Sequence, residues 1–294
     1  MGSTAAVVTA ALVPTCAAGW LVWGASSGSA DQGRYRDVPQ SVAALPSAYP
    51  HAPGTSDAKP LTTKPLASKP LAGRVVVLDP GHNPTNNRHT SEIARKVDIG
   101  TARKECDTTG TATNAGYPEA SYTLDVSRRV RTILAARGAT VKFTQDGNRP
   151  YGPCIDERAR IGNNAKANAV VSVHADGSAA GNRGFHVILP ASVHKGVADT
   201  RAIVKPSRLL GTALKNHFAS ATGTKPSNYI GGGTGLDVRG DLGGLNLSRV
   251  PKVFIECGNM RDPKDAALLS SAAWRQKAAQ GIADGITAYL EGRG

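Results

Sequence analysis

Short apolar runs alternate with longer helical patterns from Gly73 to the end of the chain. Several of these runs are rich in β-branched or aromatic residues, which favour strands. The predicted strands cover residues 74–79, 139–144, 168–174, 184–190 and 251–257. Strands that alternate with helices predict an α/β fold: a single domain with a central, twisted, mostly parallel or mixed sheet and helices on both faces.

Helices are predicted in the segments between and after these strands. The clearest one opens at Pro118 and stops at Gly138, because Pro favours the first turn of a helix and Gly favours its end. Its large apolar residues share one face at helical spacing: Val126, Val130, Ile133 and Leu134. The other predicted helices cover residues 155–167, 201–220 and 272–291.

The first 30 residues contain no charged side chain, and residues 5–25 are mostly apolar. This length suits a secretory signal or a short membrane span. The small residues Gly28, Ser29 and Ala30 favour a signal peptide cleaved after Ala30. Because no Lys or Arg precedes the apolar run, an uncleaved N-terminal anchor is the alternative. In both cases we expect the remaining chain to be extracytoplasmic, either secreted or tethered to the membrane.

Residues 31–72 are rich in Pro, Ala and Ser and contain a five-residue repeat, KPLTT-KPLAS-KPLAG. Prolines at this spacing favour an extended, semi-rigid chain over packed structure. We therefore expect a spacer that holds a folded domain, residues 73–294, away from a membrane or wall. Direct wall binding through the three lysines of the repeat is the alternative.

Two of the four cysteines, Cys106 and Cys154, lie in polar, turn-rich sequence, whereas Cys16 belongs to the leader and Cys257 to an apolar run. In an oxidising compartment the two loop cysteines are the expected disulfide. Closing a loop of this length contributes about 3–4 kcal/mol in the chain-entropy description of disulfides. Cys257 is then expected to be a free, buried thiol that packs as a small apolar residue.

The chain carries a net charge of +13, and most of it falls on the predicted folded domain. A basic extracytoplasmic protein suggests an anionic partner such as a wall polymer or membrane surface. A basic surface without a specific partner is the alternative. Nucleic acid is not an expected partner, because aromatic residues make up only 5% of the chain and no binding motif is present.

Polar side chains stand at or just after the ends of three predicted strands: His82, His174 and Glu256. In α/β sheets, functional side chains gather at the carboxyl ends of the strands. A catalytic zinc ion uses about three protein ligands drawn from His and carboxylates. The two histidines therefore predict a zinc site at this edge. His186 lies within a strand, where a histidine with satisfied hydrogen bonds in the core or at the surface is the default expectation.

The carboxylate ligand has three candidates between the first two strands: Glu92, Glu105 and Glu119. Glu119 stands in the first turn of the predicted helix, which is a firmer platform than the loops around the other two. A favourable charge at the helix N-terminus is its alternative role. Glu256 follows three apolar residues, so it is desolvated unless it faces a site, where it would act as general base and then acid. Its structural alternative is a salt bridge with an arginine such as Arg261.

Four segments, taken together and in order, resemble the zinc-dependent N-acetylmuramoyl-L-alanine amidases of bacterial cell walls. They are VVVLDPGHNP, GYPEASYTLDVSRRVRTILAARGATVKFTQD, RARIGNNAKANAVVSVHAD and VPKVFIECGNMRDPKDAALL. The resemblance implies zinc held by His82, Glu119 and His174, with Glu256 as the catalytic carboxylate. It also implies hydrolysis of the amide bond between the lactyl group of N-acetylmuramic acid and the L-alanine of the stem peptide, in peptidoglycan or muropeptides.

Two departures from the family pattern leave the implied ligands intact but affect residues that border the substrate. Asp176 stands where the family usually has Asn, and residues 257–261 replace a usual Gly-Phe-Leu-Ser-Asn run. The sequence has no repeated wall-binding module, so wall attachment would depend on the basic surface and the spacer. A monomer is expected.

The Gly-rich run at residues 229–246 lacks the Lys-Ser/Thr pair of a phosphate-binding loop, and we expect either a mobile loop beside the cleft or an ordinary connection. Two other functions stay open. One is a non-catalytic wall-binding or regulatory protein on the same fold, and the other is a zinc hydrolase that cleaves a different wall amide.

Overall fold

A computed structural model describes residues 69–293. The predicted leader at residues 1–30 and nearly all of the predicted spacer lie outside the described residues. Leu71 falls within the predicted spacer, yet it is fully buried in the main core. Its backbone N–H donates to the carbonyl of Arg137 at 2.9 Å. The end of the last KPL repeat is therefore part of the packed domain.

The described residues form the strands and helices of one α/β domain. The strands are β1 Val75–Pro80, β2 Lys96–Asp98, β3 Arg103–Glu105, β4 Thr140–Phe143, β5 Ala169–Asp176, β6 His186–Pro190, β7 His194–Lys195, β8 Ala198–Asp199, β9 Leu236–Arg239 and β10 Lys252–Asn259. The helices are α1 Thr90–Ala94, α2 Glu119–Ala136, α3 Ile155–Asn164, α4 Val204–Thr222, α5 Gly243–Asn246, α6 Pro263–Ser270 and α7 Ala272–Leu290.

Six of the strands form the central sheet, in the order β4–β1–β5–β10–β6–β9. The pairs β1–β4, β1–β5, β5–β10 and β6–β9 are parallel, and only β10–β6 is antiparallel within this sheet. The strands β2–β3 and β7–β8 form two separate antiparallel pairs. The predicted mixed, mostly parallel sheet is thus confirmed.

The two faces of the sheet differ in polarity because successive side chains along a strand point to opposite sides. One face is apolar and packs against α2 and α4, which in turn pack against α7. It contributes core residues such as Val76, Leu78, Val171, Val173, Val253 and Ile255. The opposite face carries Asp79, Ser172, Lys252 and Phe254 below α3, α5 and the β2–β3 hairpin. The polar face leads directly to the predicted site.

The sequence located the main elements but not their ends. β5 and β10 each extend two residues beyond the predicted strands, to Asp176 and Asn259, so His174 and Glu256 lie within the paired sheet. α2 has the predicted buried face, and Gly138 follows its end with a φ of +92°, which favours glycine. The predicted helix at 155–167 ends at Asn164, and the one at 201–220 begins at Val204.

The Gly-rich run at residues 229–246 is more ordered than the predicted loop. Its middle forms β9, which pairs with β6 at the edge of the central sheet, and its end forms α5. Four glycines before the strand have positive φ and turn the chain into it: Gly231, Gly232, Gly233 and Gly235. Among the described residues, no helix is long and apolar enough to cross a membrane.

Candidate metal centre and catalytic site

Three of the predicted site residues meet at one point: His82, Glu119 and His174. Each offers one ligand atom, and these atoms all lie within 4.8 Å of one another. Glu119 bridges the two rings, with Oε2 3.2 Å from His82 Nε2 and Oε1 2.9 Å from His174 Nδ1. Two imidazoles and a carboxylate are ligands that zinc prefers, so this cluster could hold such an ion.

His82 is placed by a tight turn at the end of β1. The Gly81 N–H donates to Val173 O at 2.9 Å, which continues the ladder between β1 and β5. A Cβ on Gly81 would overlap the His174 ring, so only glycine fits there. His82 itself has a φ of +60°, which is unusual for a residue with a side chain. Its carbonyl accepts from Gln145 Nε2 at 3.0 Å and Arg158 Nη2 at 2.9 Å, and these bonds hold the turn.

Glu119 is the first residue of α2 and is buried. Its Oε2 accepts from the Thr111 N–H at 3.0 Å, and its Oε1 accepts from the Ala175 N–H at 3.3 Å. In the next turn of the helix, Thr123 Oγ1 donates to Gly81 O at 2.8 Å. The start of α2 is thus bonded to both histidine-bearing segments, which fixes the carboxylate between them.

His174 lies on β5, and neighbouring rings define its orientation. It stacks on Phe254 with ring centroids 5.2 Å apart and an interplanar angle of 18°. It meets the His82 ring edge to face, at 5.1 Å and 86°. Because Phe254 is on the adjacent strand β10, strand pairing sets this stacking and directs His174 Nδ1 towards Glu119.

The other ring nitrogen of His82 has acceptors of its own. Nδ1 lies 3.0 Å from Thr108 O and 3.2 Å from Asp107 Oδ1. In the neutral ring these acceptors assign the proton to Nδ1, which leaves the Nε2 lone pair free on the side of Glu119. Metal-binding histidines commonly have such an outer partner. The sequence did not point to Asp107, and its only signal was its position directly after Cys106.

The pKa values of His82 and Glu119 are strongly shifted within the cluster. Burial by itself lowers the pKa of His82, but the Glu119 and Asp107 carboxylates outweigh it and raise the pKa to about 10. Burial raises the pKa of Glu119, while the two histidines lower it, and the net pKa lies below its usual range. His82 and Glu119 therefore form a closely coupled pair within the cluster.

Glu256 stands on β10 directly across from His174 on β5. Its Oε2 is buried and has no hydrogen-bond partner among residues 69–293. Burial, followed by the charges of Glu119 and Asp176, raises the pKa of Glu256 well above its usual value. The alternative salt bridge with Arg261 is not formed, because Arg261 Nη1 instead lies 3.4 Å from Ala112 O. A carboxylate in this position is available for proton transfer.

Asp176, one of the two departures from the family pattern, binds the start of the Gly-rich run. Tyr229 Oη donates to Asp176 Oδ2 at 2.6 Å, and the Tyr229 ring meets His186 edge to face at 6.1 Å. His186 is buried, and its Nδ1 has no partner within the described part of the chain, so the expectation of a satisfied histidine was wrong. Tyr229 therefore borders the side of the site where Glu256 lies.

The remaining candidate residues lie in other surroundings. Glu92 pairs with His89 at 3.0 Å, and Glu105 pairs with Lys96 at 3.0 Å, so neither carboxylate joins the cluster. The disulfide between Cys106 and Cys154 is confirmed, with an S–S distance of 2.05 Å. Cys257 is confirmed as a free, buried thiol.

A cavity of about 210 Å³ lies beside the two histidines on the polar face of the sheet. Ile155, Leu242 and Phe254 give it apolar walls. Its inner end reaches Asp79, which is fully buried and binds Lys252 Nζ and Arg158 Nη1, each at 2.8 Å. These cations hold the pKa of Asp79 well below its usual range, although burial alone would raise it. The cavity therefore lies next to the ligand cluster, has apolar walls, and reaches a buried aspartate whose charge is balanced by two cations.

A His–Glu–His cluster beside a desolvated carboxylate, at one edge of an α/β sheet, is typical of metal-dependent hydrolases. Residues 76–288 match the sequence profile of the N-acetylmuramoyl-L-alanine amidase family. The chain belongs to this family of hydrolases. The resemblance noted in the sequence is thus confirmed.

Three mycobacterial amidases are similar to this chain over most of the described domain. The N-acetylmuramoyl-L-alanine amidase Rv3717 of Mycobacterium tuberculosis is 40% identical over 223 residues, which are 76% of this chain and 88% of that protein. The amidase Ami1 of Mycobacterium smegmatis superimposes with a TM-score of 0.69 at 41% identity, covering 75% of this chain and 98% of that one. The apo form of Ami1 from Mycobacterium abscessus gives 0.68 at 42% identity, covering 75% and 100%.

Proposed function

We propose that this protein hydrolyses the amide bond between N-acetylmuramic acid and L-alanine in bacterial peptidoglycan. In this proposal a zinc ion is held by His82, Glu119 and His174, and Glu256 is the catalytic carboxylate. The observation that carries the proposal is the buried, unpartnered oxygen of Glu256 on the strand next to His174. Structural carboxylates in a sheet are normally paired, so an orphaned one beside a ligand cluster favours catalysis.

The residues fit the ion in three respects. The donor atoms are two imidazole nitrogens and a carboxylate oxygen, grouped within 4.8 Å. The acceptors at His82 Nδ1 leave Nε2 free for coordination. Hydrogen bonds to the Glu119 carboxylate and to the His82 carbonyl hold these two donor residues in place. When bound, zinc would polarise the scissile carbonyl and make a water molecule more acidic.

The protein's own part in the reaction is proton transfer and positioning. Glu256, once ionised, takes a proton from the attacking water and then gives it to the departing alanine nitrogen. A divalent charge on the neighbouring ligands opposes the burial that raises the pKa of Glu256, and so favours its ionised form. Tyr229 and Asp176 keep the adjacent loop in place on the same side.

The setting of the reaction is the cell wall. The matched relative is named as an N-acetylmuramoyl-L-alanine amidase, and others are named as probable cell wall amidases. We therefore place the protein outside the cytoplasm, exported by its apolar leader, as a monomer that remodels peptidoglycan during daughter-cell separation or wall recycling. Its positive charge of +13 favours contact with anionic wall polymers.

The test is to measure zinc content and product chemistry on the same purified protein. Metal analysis should give one zinc ion per chain, and digestion of muropeptides should release peptides with new L-alanine amino termini. Glu256→Gln is the control that should keep zinc and lose release. Cuts within the stem peptide would instead show a peptidase, and neither zinc nor release would indicate a binding protein.

A further inference from the structure

Asp107 contacts the first ligand without joining the ligand cluster. It is buried, and its Oδ1 lies 3.2 Å from His82 Nδ1, on the far side of the ring from Glu119. The same Oδ1 accepts from the Thr108 N–H at 2.8 Å, and Oδ2 accepts from Arg158 Nη2 at 2.9 Å. Both carboxylate oxygens are thus engaged, so the side chain has a fixed orientation towards His82.

Arg158 holds the backbone of His82 as well as its partner Asp107. This buried guanidinium donates to the carbonyls of Pro80 at 2.6 Å and His82 at 2.9 Å. It also binds Asp79 Oδ1 at 2.8 Å, which anchors it to β1. Since His82 has a left-handed backbone conformation, these bonds stabilise a turn that the chain would not otherwise favour.

The Cys106–Cys154 disulfide joins the two segments that carry Asp107 and Arg158. Cys106 directly precedes Asp107, and Cys154 caps α3, in which Arg158 N–H donates to Cys154 O at 2.9 Å. The Ile155 N–H donates to Cys106 O at 2.7 Å beside the bond. The disulfide therefore fixes the spacing between the carboxylate and the guanidinium that orients it.

We propose that Asp107, locked by Arg158 and the disulfide, is a positioning residue that holds the proton of His82 on Nδ1 and thereby sets the zinc affinity. This inference rests on the proposed function. Without Asp107, the uncharged carbonyl of Thr108, 3.0 Å from Nδ1, remains as a weaker acceptor. The neutral ring then more readily adopts a competing arrangement in which Nε2 carries the proton and donates to Glu119, 3.2 Å away. That arrangement occupies the lone pair that the metal needs. Opening the disulfide lowers zinc affinity by the same route.

The test measures zinc dissociation constants by competition with a chelator, for the full-length protein over a range of pH. The pH series separates competition between zinc and the second proton of His82 from the effect of Asp107 on the neutral ring. Asp107→Ala is expected to weaken zinc binding about 10–100-fold, the usual range for an outer partner of a ligand. Asp107→Asn keeps an oxygen that can accept from Nδ1 and should recover part of the loss. The absorption spectrum of the cobalt-substituted protein should change in Asp107→Ala, because the geometry of His82 changes.

The matched control is Asp284→Asn. Asp284 lies on α7 and forms a partly buried ion pair with Arg137, at the opposite end of α2 from Glu119. The substitution should lower the melting temperature but leave zinc affinity and the cobalt spectrum unchanged. If Asp107 were only structural, zinc affinity in all variants would follow the melting temperature. Should Asp107→Ala fail to fold, Asp107→Asn against the control decides the same question.

The disulfide is tested by the double variant Cys106→Ser, Cys154→Ser, which introduces no metal-binding thiols. We expect weaker zinc binding in the folded variant, and little further loss when Asp107→Ala is added, because both changes act through one contact. Additive losses, or zinc affinity equal to wild type in folded Asp107→Ala, would overturn the inference alone. A wild-type protein that binds no zinc would overturn the proposed function with it.

Discussion

Replacing Glu256 by Gln separates proton transfer from folding, because the two side chains have nearly the same shape. The Oε2 atom of Glu256 has no hydrogen-bond partner among the described residues, so the substitution breaks no bond to that oxygen. The amide cannot take a proton from water at neutral pH. We therefore expect a loss of catalysis without a loss of structure or of metal.

The expected size of each effect follows from this environment. Loss of a general base lowers kcat by a factor of about 10²–10⁴, which corresponds to roughly 3–5 kcal/mol in the activation barrier. The metal-free fold should not be weakened. In the wild type, the raised pKa of Glu256 means that the free energy of unfolding falls as the pH rises above the pKa that this carboxyl group has in the unfolded chain. Gln lacks this penalty, so the metal-free variant should equal or exceed the wild type in stability at neutral pH.

The assay combines single-turnover release of L-alanine amino termini with zinc analysis and thermal melts of the chelated protein at pH 7. Full release by Glu256→Gln would remove this residue from the mechanism. A variant that loses zinc, or melts well below the wild type, would show that the carboxylate has a structural partner and would refute the reasoning. Glu105→Gln, an exposed carboxylate paired with Lys96, is a control for the loss of a charge.

Four further outcomes follow from the same contacts. Gly81→Ala should displace the His174 ring, since the new methyl group overlaps it. We expect this overpacking to lower the free energy of unfolding by about 1–3 kcal/mol and to weaken zinc binding. Thermal melts and chelator competition measure the two effects. The pKa of His82 is raised from an ordinary 6.5 to about 10, so zinc binding at neutral pH should displace a proton. The zinc affinity should therefore rise with pH up to about 10. Calorimetry in buffers of different ionisation enthalpy should show the proton release. The same raised pKa contributes stability to the metal-free chain below pH 6.5 that is lost as pH rises through about 10, and pH-dependent denaturation of the chelated protein checks the sign. Lys252→Met breaks a fully buried pair with Asp79 and should cost about 3–5 kcal/mol in urea denaturation, whereas a change below 1 kcal/mol would show that Arg158 alone balances the charge.

The strand-end rule found the histidines and Glu256 because it depends on the order of apolar runs, which the sequence displays. His174 and Glu256 face each other in the register of β5 and β10, as neighbouring parallel strands require. Glu119 was singled out by its place at the start of α2, and the family resemblance made it a ligand. Local pattern and topology were therefore enough to bring the two histidines and Glu256 to one edge of the sheet, whereas the choice of Glu119 as a ligand needed the resemblance.

The residues that support the cluster could not be predicted in this way, since their partners are distant in the chain. Asp79 ends the first predicted strand, and the structure shows that it is a buried ion-pair partner of Lys252 on another strand. Arg158 lies in the predicted helix at residues 155–167, and nothing in its local sequence indicates that it is buried. Charged residues normally signal a surface, and only the tertiary structure shows that these are paired inside.

The short hairpins were missed for a different reason. β2 and β3 are three residues each and mostly polar, so they have too little alternation to predict a strand. β2 has one buried residue, Val97, and β3 has none. Val97 and Ile99, in the turn after β2, pack against Cys106, Cys154 and Ile155. The disulfide joins two members of this small apolar cluster.

The two faces of the sheet therefore obtain their rigidity from different interactions. The face under α2, α4 and α7 is a continuous apolar core, in which packing alone fixes the helices. The face under α3 has only small apolar clusters and borders a cavity of about 210 Å³. There the ion pairs of Arg158 and the Cys106–Cys154 bond supply the order that packing supplies elsewhere. Because His82 depends on this second face, the metal centre should be more sensitive to loss of the disulfide than the fold as a whole.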